Sequence, residues 1–391
     1  MMGETQKRTR LYFIDNLGIL LISLVVVFHL SVTYGASGFW PYREVAQPDD
    51  LTALLFTLFT AINGPYVVGA FFLIAGYFTP SSYDRKGFGP FLWGRLVRLG
   101  IPFLFYILVI DPLIYWGIKD ALYGYQASFW SYLGEHFRGY RSLGVGPLWF
   151  VEGLLIFTIL YALWRLVVNS RPLSIPSPVP SQRDAPPPSN VVIALFALGL
   201  GVATFILRIW LPVGSLIKVL SLPIPQFPQY LGLFIVGILS YRRNWFMGIP
   251  DRIGKLWFGV AVFFILVLFP IVFLLGGALE GNTEPYMGGL YWQSLAYSIW
   301  EQFVGVGMIL ALLVFFRRRF NRQGALARNL SACTYTVYFI HAPVLVFLTL
   351  ALRNIALSPL LKWALVSPVA VVLCFAIAYL LKKLPLVGRI L

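Results

Sequence analysis

Few residues in this chain set an ionisable side chain in an apolar surrounding, and His29 is the first of them. It stands in Ile14 to Tyr34, IDNLGILLISLVVVFHLSVTY, a run long and apolar enough to cross a bilayer. Asp15 lies 14 positions earlier, close to four helical turns, so the two project from nearly one face. About 21 Å of helix separates them, which rules Asp15 out as the partner of His29. A histidine in hydrocarbon needs a partner or water. Ionisable groups at such depth are functional more often than structural, the alternative here being a packed hydrogen bond between helices.

Depth along the other apolar runs sorts the remaining polar residues into two layers. His29, Glu152, Arg208 and Glu301 each fall a few residues inside one boundary and share a level. A carboxylate from another helix, Glu152 first and Glu301 second, would fix the imidazole tautomer and raise its basicity for general-base work. The competing reading pairs both acids with Arg208 for structure alone. At the opposite boundary Arg8, Arg10, Arg95 and Arg98 converge. Arg95 and Arg98 are one helical turn apart in FLWGRLVRLGIPF and suit either a phosphate clamp or an ordinary topology anchor. His341 sits near mid-span just before Pro343; it lines the same cavity or bonds across helices. Cys333 and Cys374 lie inside apolar spans with no metal-ligand spacing, and no metal is expected. No Walker, Rossmann, HExxH or GxSxG signature is present.

The elements that must position these residues are membrane helices. Of 391 residues, 59% are hydrophobic and 12% charged, with mean hydropathy +0.79, more apolar surface than a soluble domain could hide. Ten apolar runs can be marked, near 13–33, 53–78, 99–118, 147–168, 190–210, 227–241, 256–276, 293–316, 331–352 and 363–381; the sixth is short and Pro-flanked. The net charge of +15 does not indicate nucleic acid, because the basic residues cluster between the runs. Alternating the connections puts most of them on one side, including Lys7, Arg171, Arg183, Arg242, Arg317 and Lys382. The other side keeps Arg43, Lys119, Arg138, Arg141, Arg208, Lys218, Arg353 and Lys362. The positive-inside rule then makes both termini cytoplasmic. Segment 169–189 is rich in Pro and Ser and reads as a disordered cytoplasmic linker dividing one membrane domain, 1–391, into four spans plus six. The long outer connections 119–146 and 277–292 are expected to fold over an external mouth.

Five stretches together resemble the acyltransferase-3 superfamily of integral membrane acyltransferases: RLYFIDNLGILLISLVVVFHLSVTYG (10–35), FFLIAGYFTP (71–80), RLVRLGIPF (95–103), GPLWFVEGLLIF (146–157) and TYTVYFIHAPVLV (334–346). They run from the first span to the ninth in the family's order. The resemblance implies transfer of an acyl group, commonly acetyl or succinyl, from the coenzyme A thioester to hydroxyls of sugars, glycans and other small acceptors. It implies that His29 is the essential histidine, that Arg95 and Arg98 are the paired arginines, and that Glu152 and His341 fall in the fourth-span and late Tyr-x-x-His motifs. Two positions depart from the pattern. Gly18 stands where the family has arginine eleven residues before the histidine, and Ala75 where it has serine.

The expectation is therefore an acyl-coenzyme A-dependent O-acyltransferase of the bacterial cytoplasmic membrane. Arg10, Arg95 and Arg98 would receive the donor, and His29 with Glu152 would carry the chemistry. Asp15, Arg208, Glu301 and His341 would line the substrate path or support it, with Arg95 or Arg98 as the cation facing Asp15. Arg208, Tyr335 or Tyr338 would hold the oxyanion that acyl transfer creates. The rival readings are a proton-coupled transporter or flippase relaying protons through His29, Glu152 and Glu301, and a non-catalytic family member that lost function with the residue-18 arginine.

Overall fold

The computed structural model describes residues 10–138, 144–169, 185–216 and 222–391. Regular structure in these residues is helical, with no strand among them. Ten main helices follow the apolar runs: α1 (Tyr12–Thr33), α2 (Asp50–Lys86), α3 (Phe88–Tyr123), α4 (Trp149–Asn169), α5 (Asn190–Trp210), α6 (Phe227–Arg242), α7 (Asp251–Leu275), α8 (Trp292–Arg319), α9 (Ala325–Ala351) and α10 (Pro359–Leu381). Among the described residues nine helices are long and apolar enough to cross a membrane, so the chain is an all-α polytopic membrane bundle. The exception is α6, with 16 residues. Its far end bonds Asp84 of α2 through Arg242 (2.6 and 2.9 Å), and Trp245 just beyond donates to Pro186 before α5. Near its start Gln229 donates to the carbonyl of Pro65, midway along α2, so α6 accompanies only the second half of that helix.

Small residues let α6 and α2 touch along their backbones. A Cβ on Gly76 would stand 2.1 Å from the Phe234 carbonyl oxygen, and one on Gly237 would stand 2.1 Å from that of Leu73. Such contact is how helices gain packing where lipid offers no hydrophobic drive. The π turns of α3 and α7 also have a cause in sequence. Leu96–Gly100, Tyr106–Ile110 and Phe264–Leu268 each end two residues before a proline, at Pro102, Pro112 and Pro270. A proline ring clashes with the carbonyl four residues back, and a widened turn absorbs that clash.

The helices interleave rather than forming separate halves, since α1 packs against α2, α8, α9 and α10. Helices α8 and α9 are the most enclosed, with 61% of their spanning residues buried, against 11% for α7. Asp84 holds Arg242 and, at 3.4 Å, Arg165 at the end of the bundle opposite His29. Arg317 caps the carbonyls of Phe246, Met247 and Ile249 at the same end. Residues 170–184 of the proposed linker, with Lys7, Arg8, Arg141, Arg171, Arg183 and Lys218, lie outside the described residues.

Candidate active site

Helix α1 is fixed at both ends. Near its start Asn16 donates to the carbonyls of Phe320 (2.6 Å) and Arg322 (3.0 Å) and accepts from Gln323 (2.9 Å), tying α1 to the α8–α9 connection. Near its other end Trp363 of α10 donates its indole N–H to the Val27 carbonyl at 3.1 Å. His29 follows two residues later, half-buried, with its Nδ1 sealed from solvent and without a hydrogen-bond partner.

Two rings enclose it. Trp40 lies almost parallel to the imidazole, centroids 4.2 Å apart and planes at 18°. His341 of α9 lies at 5.2 Å and 28°. His341 is fully buried, and its Nδ1 is 2.5 Å from the Tyr338 carbonyl. A carbonyl only accepts, so Nδ1 carries the proton and Nε2 of the neutral ring holds the lone pair. That Nε2 is also buried and unpartnered. Tyr338 itself donates to the Pro147 carbonyl at the mouth of α4, and Tyr335, one turn earlier, donates to the Arg98 carbonyl at 2.9 Å. One face of α9 thereby ties together α3, α4 and the histidine of α1.

The acids stand elsewhere. Glu301 of α8 pairs with Arg208 of α5 at 2.6 Å, and Arg208 also donates to Ser298 at 3.1 Å. Glu301 is therefore committed to the arginine and does not orient His29. Nor does Glu152 hydrogen-bond His29: it stands in the first turn of α4, half-buried, with Oε2 sealed and unpartnered. The ring stack takes the place that a carboxylate was expected to fill.

At the opposite end Arg10 and Asp15 pair at 2.6 Å, so the cation facing Asp15 is Arg10 and not Arg95 or Arg98. Arg10 precedes the helix, and a helical angle does not govern where its side chain reaches. Arg95 ends an α-helical stretch and Arg98 lies in the π turn that follows it. Arg95 lies over Phe91, 5.2 Å from the ring centroid, and Arg98 lies over Tyr335 at 6.0 Å. Among the described residues neither forms a salt bridge.

Sequence reasoning missed Trp40 and the segment that carries it. Tryptophan after a first span is an unremarked interfacial residue, and only the fold-back of residues 35–49 puts it on His29. The outer connections expected to cover the mouth are described in part, residues 139–143 lying outside the described residues. The described part of 119–146 packs beside the end of α3, where Trp116 donates to Ala127. Segment 277–292 closes over α5, with the Gly289 amide on the Arg208 carbonyl at 2.9 Å.

A helical membrane bundle with a buried, unpaired histidine near one face and free arginines near the other defines a class rather than a protein. Residues 11–379 match the acyltransferase domain of the acyltransferase-3 family, and the chain belongs to that family. It is similar to the glucans biosynthesis protein C of Escherichia coli O1:K1 / APEC, 24% identical over 352 residues that cover 86% of this chain and 83% of that protein. The proteins of that name from E. coli O45:K1 (strain S88 / ExPEC) and strain UTI89 match to the same extent. No solved structure matches the chain at a significant level.

Proposed function

We propose that the protein transfers an acyl group, acetyl or succinyl, from acyl-coenzyme A on the cytoplasmic side to a hydroxyl of a glycan or other small acceptor on the outer side of a bacterial cytoplasmic membrane. The observation that carries this reading is the stack of half-buried His29 on buried His341, each with one ring nitrogen withdrawn from solvent and without a partner. An imidazole nitrogen without a partner suits proton removal. Arg95 and Arg98, free of carboxylates among the described residues, would hold the donor's phosphates together with Arg10 before α1. His29 would take the acceptor's proton as oxygen attacks the thioester. Glu152, with one oxygen unpartnered, would meet the acceptor. A glucan is the first acceptor to try, because the relatives are named for glucan biosynthesis. The relay reading is weaker because Glu301 is ion-paired with Arg208.

The test is purified protein in detergent or nanodiscs with acetyl- or succinyl-coenzyme A and a short glucan oligosaccharide. Acceptor-dependent release of free thiol, with an acylated sugar seen by mass spectrometry, is the expected result. Thioester left untouched with every acceptor tried would end the proposal.

A further inference from the structure

Acyl transfer needs a hydrogen-bond donor for the negative oxygen that forms when the thioester carbonyl is attacked. Of the three donors expected from sequence, the two tyrosines are occupied and the arginine is held away from the histidines. Tyr335 donates to the Arg98 carbonyl and Tyr338 to that of Pro147. The guanidinium of Arg208 keeps an unpartnered Nε, but it bonds Ser298 and Glu301 and lies over Tyr297, 5.5 Å from its centroid, all on α8 and none of them a ring of the histidine stack.

Trp40 is in a different condition. It is 6% exposed, and its indole N–H is buried without an acceptor. Leaving such a donor unmade forfeits the hydrogen bond it would make to water, and buried orphans of this kind call for an explanation. In the nearly parallel stack on His29 the indole N–H and the imidazole nitrogens lie in their own ring planes, so neither ring can satisfy the other. One indole N–H and one ring nitrogen each of His29 and His341 are thus orphaned within three rings whose centroids lie 4.2, 5.2 and 6.1 Å apart. A hydroxyl beside a carbonyl satisfies both kinds, the hydroxyl donating to an imidazole and the carbonyl oxygen accepting from the indole. Other buried hydroxyls lack partners too, but their rings lie elsewhere. Tyr34 lies under the Lys362 ammonium and Tyr106 stands edge-on to Phe339.

The segment that carries Trp40 is built to hold it there. Gly35 (φ +132°) and Gly38 (φ +151°) take backbone conformations that favour glycine. The amide of Ala36 bonds the Ser31 carbonyl, and that of Glu44 bonds the Thr33 carbonyl, both at 2.8 Å. The Glu44 carboxylate meets Lys362 of α10 at 2.5 Å, and this lysine is 2% exposed.

We infer that Trp40 is a catalytic residue whose indole N–H holds the oxyanion of the acyl-transfer step; this rests on the acyltransferase reading above. The acceptor oxygen forms its bond to the thioester carbon, and its proton passes to His29. The carbonyl electron pair moves to oxygen, which accepts from Trp40 Nε1. When the carbonyl re-forms, the carbon–sulfur bond breaks, the pair leaves with sulfur, and the thiolate recovers the proton from the imidazolium. The products are an ester and free coenzyme A.

Trp40→Phe keeps an aromatic ring on His29 and removes the donor. With acetyl-coenzyme A and the acceptor that the wild type uses, kcat should fall about 10²-fold, as for loss of one oxyanion donor, while both KM values change little. A benzothienylalanine at position 40 keeps the full ring system with sulfur in place of N–H. It should show the same loss, and it decides the matter should the Phe variant fold poorly. Turnover within about threefold of wild type in the benzothienylalanine protein would overturn the assignment and leave the enzyme reading intact. A wild type that consumes no thioester overturns both.

Discussion

Two of the pairs of ionisable residues inside this bundle are built on opposite terms. Arg208 and Glu301 meet at 2.6 Å across α5 and α8, a cation against an anion, with the arginine wholly buried. His29 and His341 meet ring to ring at 5.2 Å across α1 and α9, and no hydrogen bond joins either imidazole to a carboxylate among the described residues. In the first pair each charge is the other's compensation, so removing one strands the other in a medium that cannot solvate it. In the second pair the rings can both be neutral, and removing one strands nothing. Pairing commits polar groups to the structure; stacking leaves nitrogens open to a reactant.

The largest expected effect follows on the stacked side. His29→Ala should lower acyl transfer by about 10³-fold or more, within or beyond the range for loss of a general base, with a thermal midpoint in detergent close to wild type. A folded variant that still turns over normally would remove His29 from the chemistry and break the contrast. On the paired side Glu301→Gln should cost stability first. Leaving Arg208 uncompensated costs roughly 3–5 kcal/mol, read as a lowered unfolding midpoint. Arg208→Met with Glu301→Leu together should recover most of that loss, since a buried ion pair is often replaceable by apolar residues of similar volume. If the double variant is stable yet inactive, the pair belongs to the substrate path and the contrast is false.

A smaller effect is expected where cations are left unpaired for a ligand. Arg95→Ala with Arg98→Ala should raise the KM for acetyl-coenzyme A roughly 10-fold, as for lost charge-assisted contacts, and change kcat little, the pattern of uniform binding. Unchanged KM would return both to topology anchors. Because Arg95 is half-buried over Phe91 while Arg98 is exposed over Tyr335, the single variants should differ, and the comparison would show which of them faces the donor.

The spans, and the depth of His29 and Arg208 within them, were legible in sequence because hydropathy and helical rise set both directly. His341 was visible as a candidate, but its tautomer was not, since that depends on a carbonyl three residues away on the same helix. The partner of Glu301 was open between His29 and Arg208, and only the packing of α5 on α8 decides it. Trp40 was illegible for a different reason: its position depends on a loop whose path is set by two glycines and by Lys362, more than 300 residues later. The π turn that carries Arg98 was not legible from the arginine spacing, since it depends on a proline downstream.

The smallest effect is expected at Gly18, where the chain departs from its family. A Cβ built at Gly18 meets nothing within 4 Å, so a larger side chain needs no repacking at its base. An arginine there starts roughly 10 Å above Leu11 and would extend back along α1 toward the surface, passing Asp15 one turn below. Asp15 is already held by Arg10, a pair whose side chains are 54% and 27% exposed and which, exposed as it is, contributes about 0–1 kcal/mol. The newcomer would compete with Arg10 for the carboxylate at little cost in stability. Gly18→Arg should therefore fold as wild type does and bind acetyl-coenzyme A with equal or lower KM, because Arg10, Arg95 and Arg98 already supply cations at that end. If the wild type binds no donor and Gly18→Arg restores binding, the arginine is indispensable and the native chain is a non-catalytic member of its family. In that case the unpaired histidines would be what remains of a site that has lost its donor.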